Sequence, residues 1–225
     1  MPLKAPPATA IAAVYNWTGF YIGGHVGYGW GRSTLADIDN FCLGISNCPN
    51  PPDRYNFDGI VGGGQAGYNW QTGNLVFGVE VDFSVSGIDE KTPLIRTTLT
   101  LATKIDWFGT ARLRLGYAAD RALFYVTGGL AYANVANSFL DVGCGVPCFL
   151  ESSDVKFGWT VGGGLEYAFA PNWSVRAEYL FVDLEKNKKL DVSCAPACRF
   201  EWENRLNVAR VGLNYKFGGP VVARY

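Results

Sequence analysis

Charged residues recur at a spacing of two in this chain. Glu80 with Asp82, Lys104 with Asp106, Arg112 with Arg114 and Arg176 with Glu178 show it directly, and Glu166, Arg210 and Lys216 sit in similar stretches. That spacing puts side chains on one face of an extended strand and would scatter them around a helix. Six of the eleven are basic and five acidic, so brought together they would form a compensated salt-bridge network or line a path for ions. The single histidine, His25, is the other residue with chemistry to offer. As a catalytic base it would need a nucleophile or partnered carboxylate beside it, and nothing in the sequence places one there. As a haem ligand it would want histidines in the loops, which hold none. It reads as a hydrogen-bonded interior residue. No catalytic, cofactor-binding or metal-binding residue is assigned, no cofactor is expected, and the chain reads as non-enzymatic.

Six cysteines fall in three close pairs, Cys42 with Cys48, Cys144 with Cys148 and Cys194 with Cys198. None has the C-x-x-C spacing of a zinc site, and the pairs lie in three separate loops. Three loop-local disulfides formed in an oxidising compartment are the favoured reading, with connectivity left open. Gly62 to Gly67 matches G-x-G-x-x-G, but a dinucleotide site needs a helix to follow it. Here Tyr68-Asn69-Trp70-Gln71 and a turn follow, so the match is accidental.

The elements that position the charges are strands. In Thr97 to Tyr117, TTLTLATKIDWFGTARLRLGY, the odd positions are nearly all apolar and the even ones carry every charge. This is one long strand with an apolar and a charged face. The same division recurs from Leu75 to Ser86, with Leu75, Phe77, Val79, Val81, Phe83 and Val85 against Glu80, Asp82, Ser84 and Ser86. Further strands are read from Trp17, over Phe57 to Gln71, Val155 to Ala168, Trp173 to Leu184 and Trp202 to Phe217. Leu123 to Asn137 is a strand with weak patterning. Long loops over about 33–56 and 87–96 and around the second and third cysteine pairs alternate with tight turns such as Thr72-Gly73-Asn74 and Pro171-Asn172.

Eight long strands, apolar on one face and charged on the other, define an all-β fold: an eight-stranded antiparallel transmembrane barrel around a polar interior, with short periplasmic turns and long extracellular loops. A soluble barrel would reverse the faces. Trp17, Trp70, Tyr117, Phe169, Trp173, Tyr215 and Phe217 gather at the short-turn end, where an aromatic girdle belongs. An eight-stranded interior is only wide enough for side chains to fill, so the charges read as a salt-bridged plug, although Gly23, Gly27, Gly63, Gly67, Gly162 and Gly164 leave some room inside. The barrel is expected over residues 16–217, after a flexible Pro/Ala-rich tail over 1–15 that lacks the apolar core of a signal peptide and before a short extension over 218–225. No run is long and apolar enough for a membrane helix. A net charge of −1 provides no electrostatic footprint for nucleic acid.

Asn16-Trp17-Thr18-Gly19-Phe20-Tyr21-Ile22-Gly23-Gly24, Gly27-Tyr28-Gly29-Trp30, Thr127-Gly128-Gly129-Leu130-Ala131-Tyr132 and the closing Val211-Gly212-Leu213-Asn214-Tyr215-Lys216-Phe217 resemble the small, porin-like, opacity-type outer-membrane proteins of alphaproteobacteria. The resemblance runs from about Val14 to the end. It implies an outer-membrane location, termini in the periplasm and a role in envelope integrity. Some members of that family bind haemin or act as surface antigens. The partners expected are outer-membrane lipid and lipopolysaccharide, with the N-terminal tail a candidate for contact with peptidoglycan. A small porin for ions or hydrophilic solutes, and a haemin or ligand receptor acting through the loops, are the alternatives. Barrels of this kind often end on the aromatic of the last strand, whereas Phe217 is followed here by eight residues ending in Tyr225. Nothing in the sequence sets the oligomeric state.

Overall fold

The alternating stretches form eight strands: β1 (Gly19–Asp37), β2 (Asp53–Thr72), β3 (Leu75–Pro93), β4 (Leu99–Ala119), β5 (Ala122–Asp141), β6 (Cys148–Ala168), β7 (Trp173–Asp191) and β8 (Cys198–Lys216). In the computed structural model they close into one antiparallel barrel, each strand beside its neighbours in sequence and β1 paired with β8. The structure describes residues 15–37, 53–93, 99–141, 148–191 and 198–218, and at the strand ends furthest from the tight turns it describes the backbone alone. The tail over 1–14 and the extension from 219 onward lie outside the described residues.

Period two sorts the faces. On β3, Leu75, Phe77, Val79, Val81, Phe83 and Val85 are all exposed, while Glu80, Asp82 and Ser84 are buried. On β1 the outward apolar run from Phe20 to Trp30 spans ten residue steps. At ~3.3 Å per residue and a tilt of ~40° it rises about 25 Å, the height of the apolar band of an outer-membrane barrel. No helix among the described residues is long and apolar enough to cross a membrane; the strands do so instead.

At one end short links join the strands, two residues each between β2 and β3 and between β4 and β5, and four between β6 and β7. Gly73 takes a positive φ of 59° and Asp120 one of 53°. The Asn74 amide donates to the Ala118 carbonyl at 3.0 Å, and the Asn172 amide to that of Lys216 at 2.7 Å. At the other end the strands run past the apolar band, so the connections there are shorter than the sequence suggests. Over 33–37 and 53–56 residues read as loop are strand.

Two irregularities shift the register on β4. The β3 ladder is interrupted between Val85 and Ile88, and the β5 ladder between Ile105 and Trp107. A bulge adds one residue to one strand and reverses the facing beyond it. Ile105 therefore points inward and is fully buried, although strict alternation would send it to lipid.

The interior is layered. Near the tight turns Trp17, Val76, Ala118, Leu123 and Ala168 form an apolar floor. A charged belt follows. Above it Phe57, Val61, Ile88, Ile105, Phe108, Leu180, Val182, Leu184, Leu206 and Val208 form a second apolar cluster, all buried. The expectation of a polar interior is therefore narrowed: the charges gather in the middle of the lumen, and the apolar cluster above them is interrupted by the buried Ser33, Lys156 and Asn204. In the upper part, inward residues such as Leu180 and Val182 stand between outward ones that are also apolar, so the sequence shows little alternation there.

Candidate functional site

Neighbouring strands bring the charge belt together. Glu80 and Asp82 come from β3, Arg112 and Arg114 from β4, Glu166 from β6, Arg176 and Glu178 from β7 and Arg210 from β8, and all are buried. Four arginines thus face four carboxylates. Arg112 is in ion contact with Glu80, with Asp82 at 2.9 Å and with Glu178 at 3.0 Å. Arg176 meets Glu80 at 2.6 Å, Arg210 meets Glu178 at 2.6 Å and Asp82 at 3.2 Å, and Arg114 meets Glu166 at 2.7 Å. Neutral donors fill the remaining acceptor sites: the Tyr21 hydroxyl donates to Glu80 at 2.6 Å, Tyr125 to Glu178 at 3.0 Å, Ser174 to Glu166 at 2.5 Å, and Thr110 to Asp82. The Arg114 guanidinium lies 3.8 Å from the Tyr125 ring centroid. Buried charges this well paired hold one another in place, because removing any one strands its partners in a low-dielectric interior.

His25 joins the edge of this network. Its Nδ1 lies 2.6 Å from Gln65 Oε1 and its Nε2 2.8 Å from the Ser84 hydroxyl, with Arg210 at 3.4 Å. Gln65 donates in turn to Asn214 at 2.7 Å, and Asn214 to Glu166 at 2.8 Å. Both ring nitrogens face polar partners of the lumen wall. Among the described residues no group of His, Cys, Asp and Glu is arranged to hold a metal ion.

Three of the eleven charges expected in the network lie elsewhere. Lys104 and Asp106 are carried to the outer face by the β4 bulge and pair there at 2.7 Å, both well exposed. Lys216 faces the mouth at the tight-turn end, where it donates to the Asn16 carbonyl and sits 4.5 Å from the Tyr15 ring. Burial pushes the Tyr15 phenol up to about 12, with the Glu166 carboxylate adding to the rise and Arg121 opposing it.

Of the expected girdle, Trp70, Tyr117, Phe169, Trp173 and Phe217 face outward and Tyr215 is partly exposed. The Tyr215 ring lies 5.1 Å from both Trp173 and Phe217. Trp17 is the exception. Residues 15–18 fold under the barrel, burying its indole in the floor with Nε1 donating to the Asp120 carbonyl at 3.2 Å. Sequence reading missed the second girdle near the other end, where the Trp30 ring lies 6.2 Å from that of Tyr179 and the Trp159 ring 5.5 Å from that of Phe181, both pairs tilted. The signal was there in Tyr28 and Trp30, two outward aromatics followed by the polar Arg32.

The space beside inward glycines is taken by neighbouring side chains at Gly67 and Gly164. A Cβ on Gly67 would lie 2.5 Å from the Tyr21 hydroxyl, and one on Gly164 would lie 2.7 Å from that of Tyr125. Their missing side chains admit neighbouring ones. A crevice of about 10 Å³ between Trp17, Tyr21, Glu166 and Lys216 is about the space of one water molecule. Gly62 to Gly67 lies inside β2, paired to β1 and β3, with no helix near it. Cys148 and Cys198 open β6 and β8; their side chains, and the other four cysteines, lie outside the described residues.

An apolar exterior, aromatic rows at both edges and a charge-filled lumen define a barrel of the outer-membrane type. The chain belongs to the outer membrane protein beta-barrel domain family, whose profile matches residues 5–217. It is 39% identical over 220 residues to the 31 kDa outer-membrane immunogenic protein of Brucella melitensis, covering 94% of this chain and 88% of that one. It is 32% identical over 202 residues to the 22 kDa outer membrane protein of Rhizobium leguminosarum, covering 90% and 79%. Among solved structures, the outer membrane protease OmpT of Escherichia coli matches with a TM-score of 0.54 at 11% identity, covering 90% of this chain and 98% of that one. That likeness is one of fold alone. The protein is thus an outer-membrane β-barrel.

Proposed function

We propose that this barrel is a closed, non-conducting and non-catalytic element of the envelope, whose work is structural and carried out at the surface. Its partners in this reading are lipopolysaccharide on the outer face and peptidoglycan on the periplasmic face. The observation that carries it is the charge belt: four arginines and four carboxylates interlocked across the lumen, with an apolar layer on either side. Ions crossing such a path would have to break paired charges and then enter apolar layers, and both steps are costly.

Single-channel recording of the refolded protein in a planar bilayer tests this. A silent bilayer, with insertion shown by protease protection, is the expected result. Reproducible steps that change in Arg112→Ala would make the protein a porin instead.

A further inference from the structure

The outer surface of β7, β8, β1 and β2 carries a furrow from one girdle to the other. Most of the outward band is built of large side chains, but here Gly24, Ala177 and Ala209 stand at outward positions. They leave two adjoining hollows of about 760 and 750 Å³ that share Val26 and Val211. The upper hollow continues past Tyr28 into a polar recess of about 740 Å³ lined by the basic Arg32, Arg54 and Arg205 and the acidic Asp58 and Glu203.

The recess stands at the height where headgroups lie. The Tyr28 hydroxyl donates upward to Asp58, and that of Tyr179 to Asn207 at 2.7 Å. The register places Arg32 directly opposite Arg205 and, one row further out, pairs Arg54 with Thr34. Like charges directly opposite on a sheet repel. Arg205 is compensated by Glu203 at 2.5 Å and Asp183 at 3.4 Å. Arg32 reaches only the Asn56 amide oxygen, at 3.4 Å, and among the described residues no carboxylate pairs with Arg32 or Arg54. Asp58 is engaged by Tyr28 and Glu203 by Arg205. Arg32 and Arg54 are thus two neighbouring guanidiniums that no carboxylate of the described residues pairs with, and above an apolar furrow they suit an anion with acyl chains beneath it.

We infer that this face seats a phosphorylated, acylated glycolipid of the outer leaflet, the lipid A part of lipopolysaccharide. Its phosphate sits on Arg32 and Arg54, and an acyl chain lies in the furrow over Ala209 and Ala177. The inference rests on the lipopolysaccharide partnership proposed above and gives it a site and a binding chemistry, and because it draws on the outer wall alone it stands or falls separately from the closed lumen.

The test is native mass spectrometry of the full chain refolded in detergent, titrated with purified lipid A and with its dephosphorylated form. Wild type retains one lipid A. Dephosphorylation of the lipid, or the double variant Arg32→Gln with Arg54→Gln, weakens retention about tenfold or more. Ala209→Trp, which fills the furrow without touching the charges, weakens it as well. Heat-modifiable gel mobility like that of wild type establishes that each variant is folded. Equal retention of the dephosphorylated lipid, or unchanged binding by the double variant, overturns the inference. So does displacement of lipid A by millimolar inorganic phosphate, or occupation of this face by a second copy of the chain that lipid A does not dissociate.

Discussion

Glu80 is where the lumen concentrates its electrostatics. Arg112, Arg176 and the Tyr21 hydroxyl all contact it directly, with Arg114 at 3.7 Å and Arg210 at 4.0 Å. Glu80→Ala removes one of four counter-charges from a site without solvent access, and the expected cost is about 3–5 kcal/mol. Urea unfolding in lipid vesicles measures it; a loss below about 1 kcal/mol would mean that water screens the belt. Trp17 offers a second residue-scale test. Trp17→Ala opens the floor beneath the belt and costs about 3–5 kcal/mol, whereas a girdle tryptophan facing lipid would cost far less.

At the scale of elements, β4 carries the sharpest consequence. Its bulge turns Ile105 inward and sends Lys104 out. Ile105→Ala is therefore expected to cost about 2–5 kcal/mol and Lys104→Ala to fall within about 0.5 kcal/mol, by the same unfolding measurement. The reverse order would restore strict alternation. This is also where the sequence ceased to be legible. β3 could be read residue by residue, because outward valines and phenylalanines alternate with inward acids and serines. A bulge leaves no comparable mark, since one inserted residue changes a strand's phase without changing its composition. β5 was hard to read for another reason: Leu123, Ala131, Ala133 and Val135 point inward while Phe124, Val126 and Leu130 point to lipid, so both faces are apolar. The core of the charge belt was readable because every member lies on the turn-proximal side of the bulges. Lys104 and Asp106 lie beyond one and were misplaced.

For the whole molecule, three interior layers stand in series. In the closed-lumen reading proposed above, opening one leaves the others shut. Arg112→Ala is accordingly expected to stay silent in planar bilayers, because Phe57, Phe108 and Leu180 still fill the lumen above it. Steady conductance in that single variant would show that the upper apolar layer leaks. The layers also explain how one barrel satisfies two solvents: lipid meets valine, phenylalanine and tyrosine outside, and inside each charge of the belt meets its opposite.

The strands do not stop where the bilayer does. β7 and β8 continue from Asp183 and Arg205 to Asp191 and Cys198, which at ~3.3 Å per residue carries the sheet on by roughly 25 Å along its strands. The surface loops are thus mounted on a stiff pedestal. A tether pulling outward on one of them loads the strands along their length, at right angles to the hydrogen bonds between them. Such a load must shear many bonds at once instead of unzipping them in turn. A molecule anchored at the tip would transmit force to the membrane before the barrel gave way.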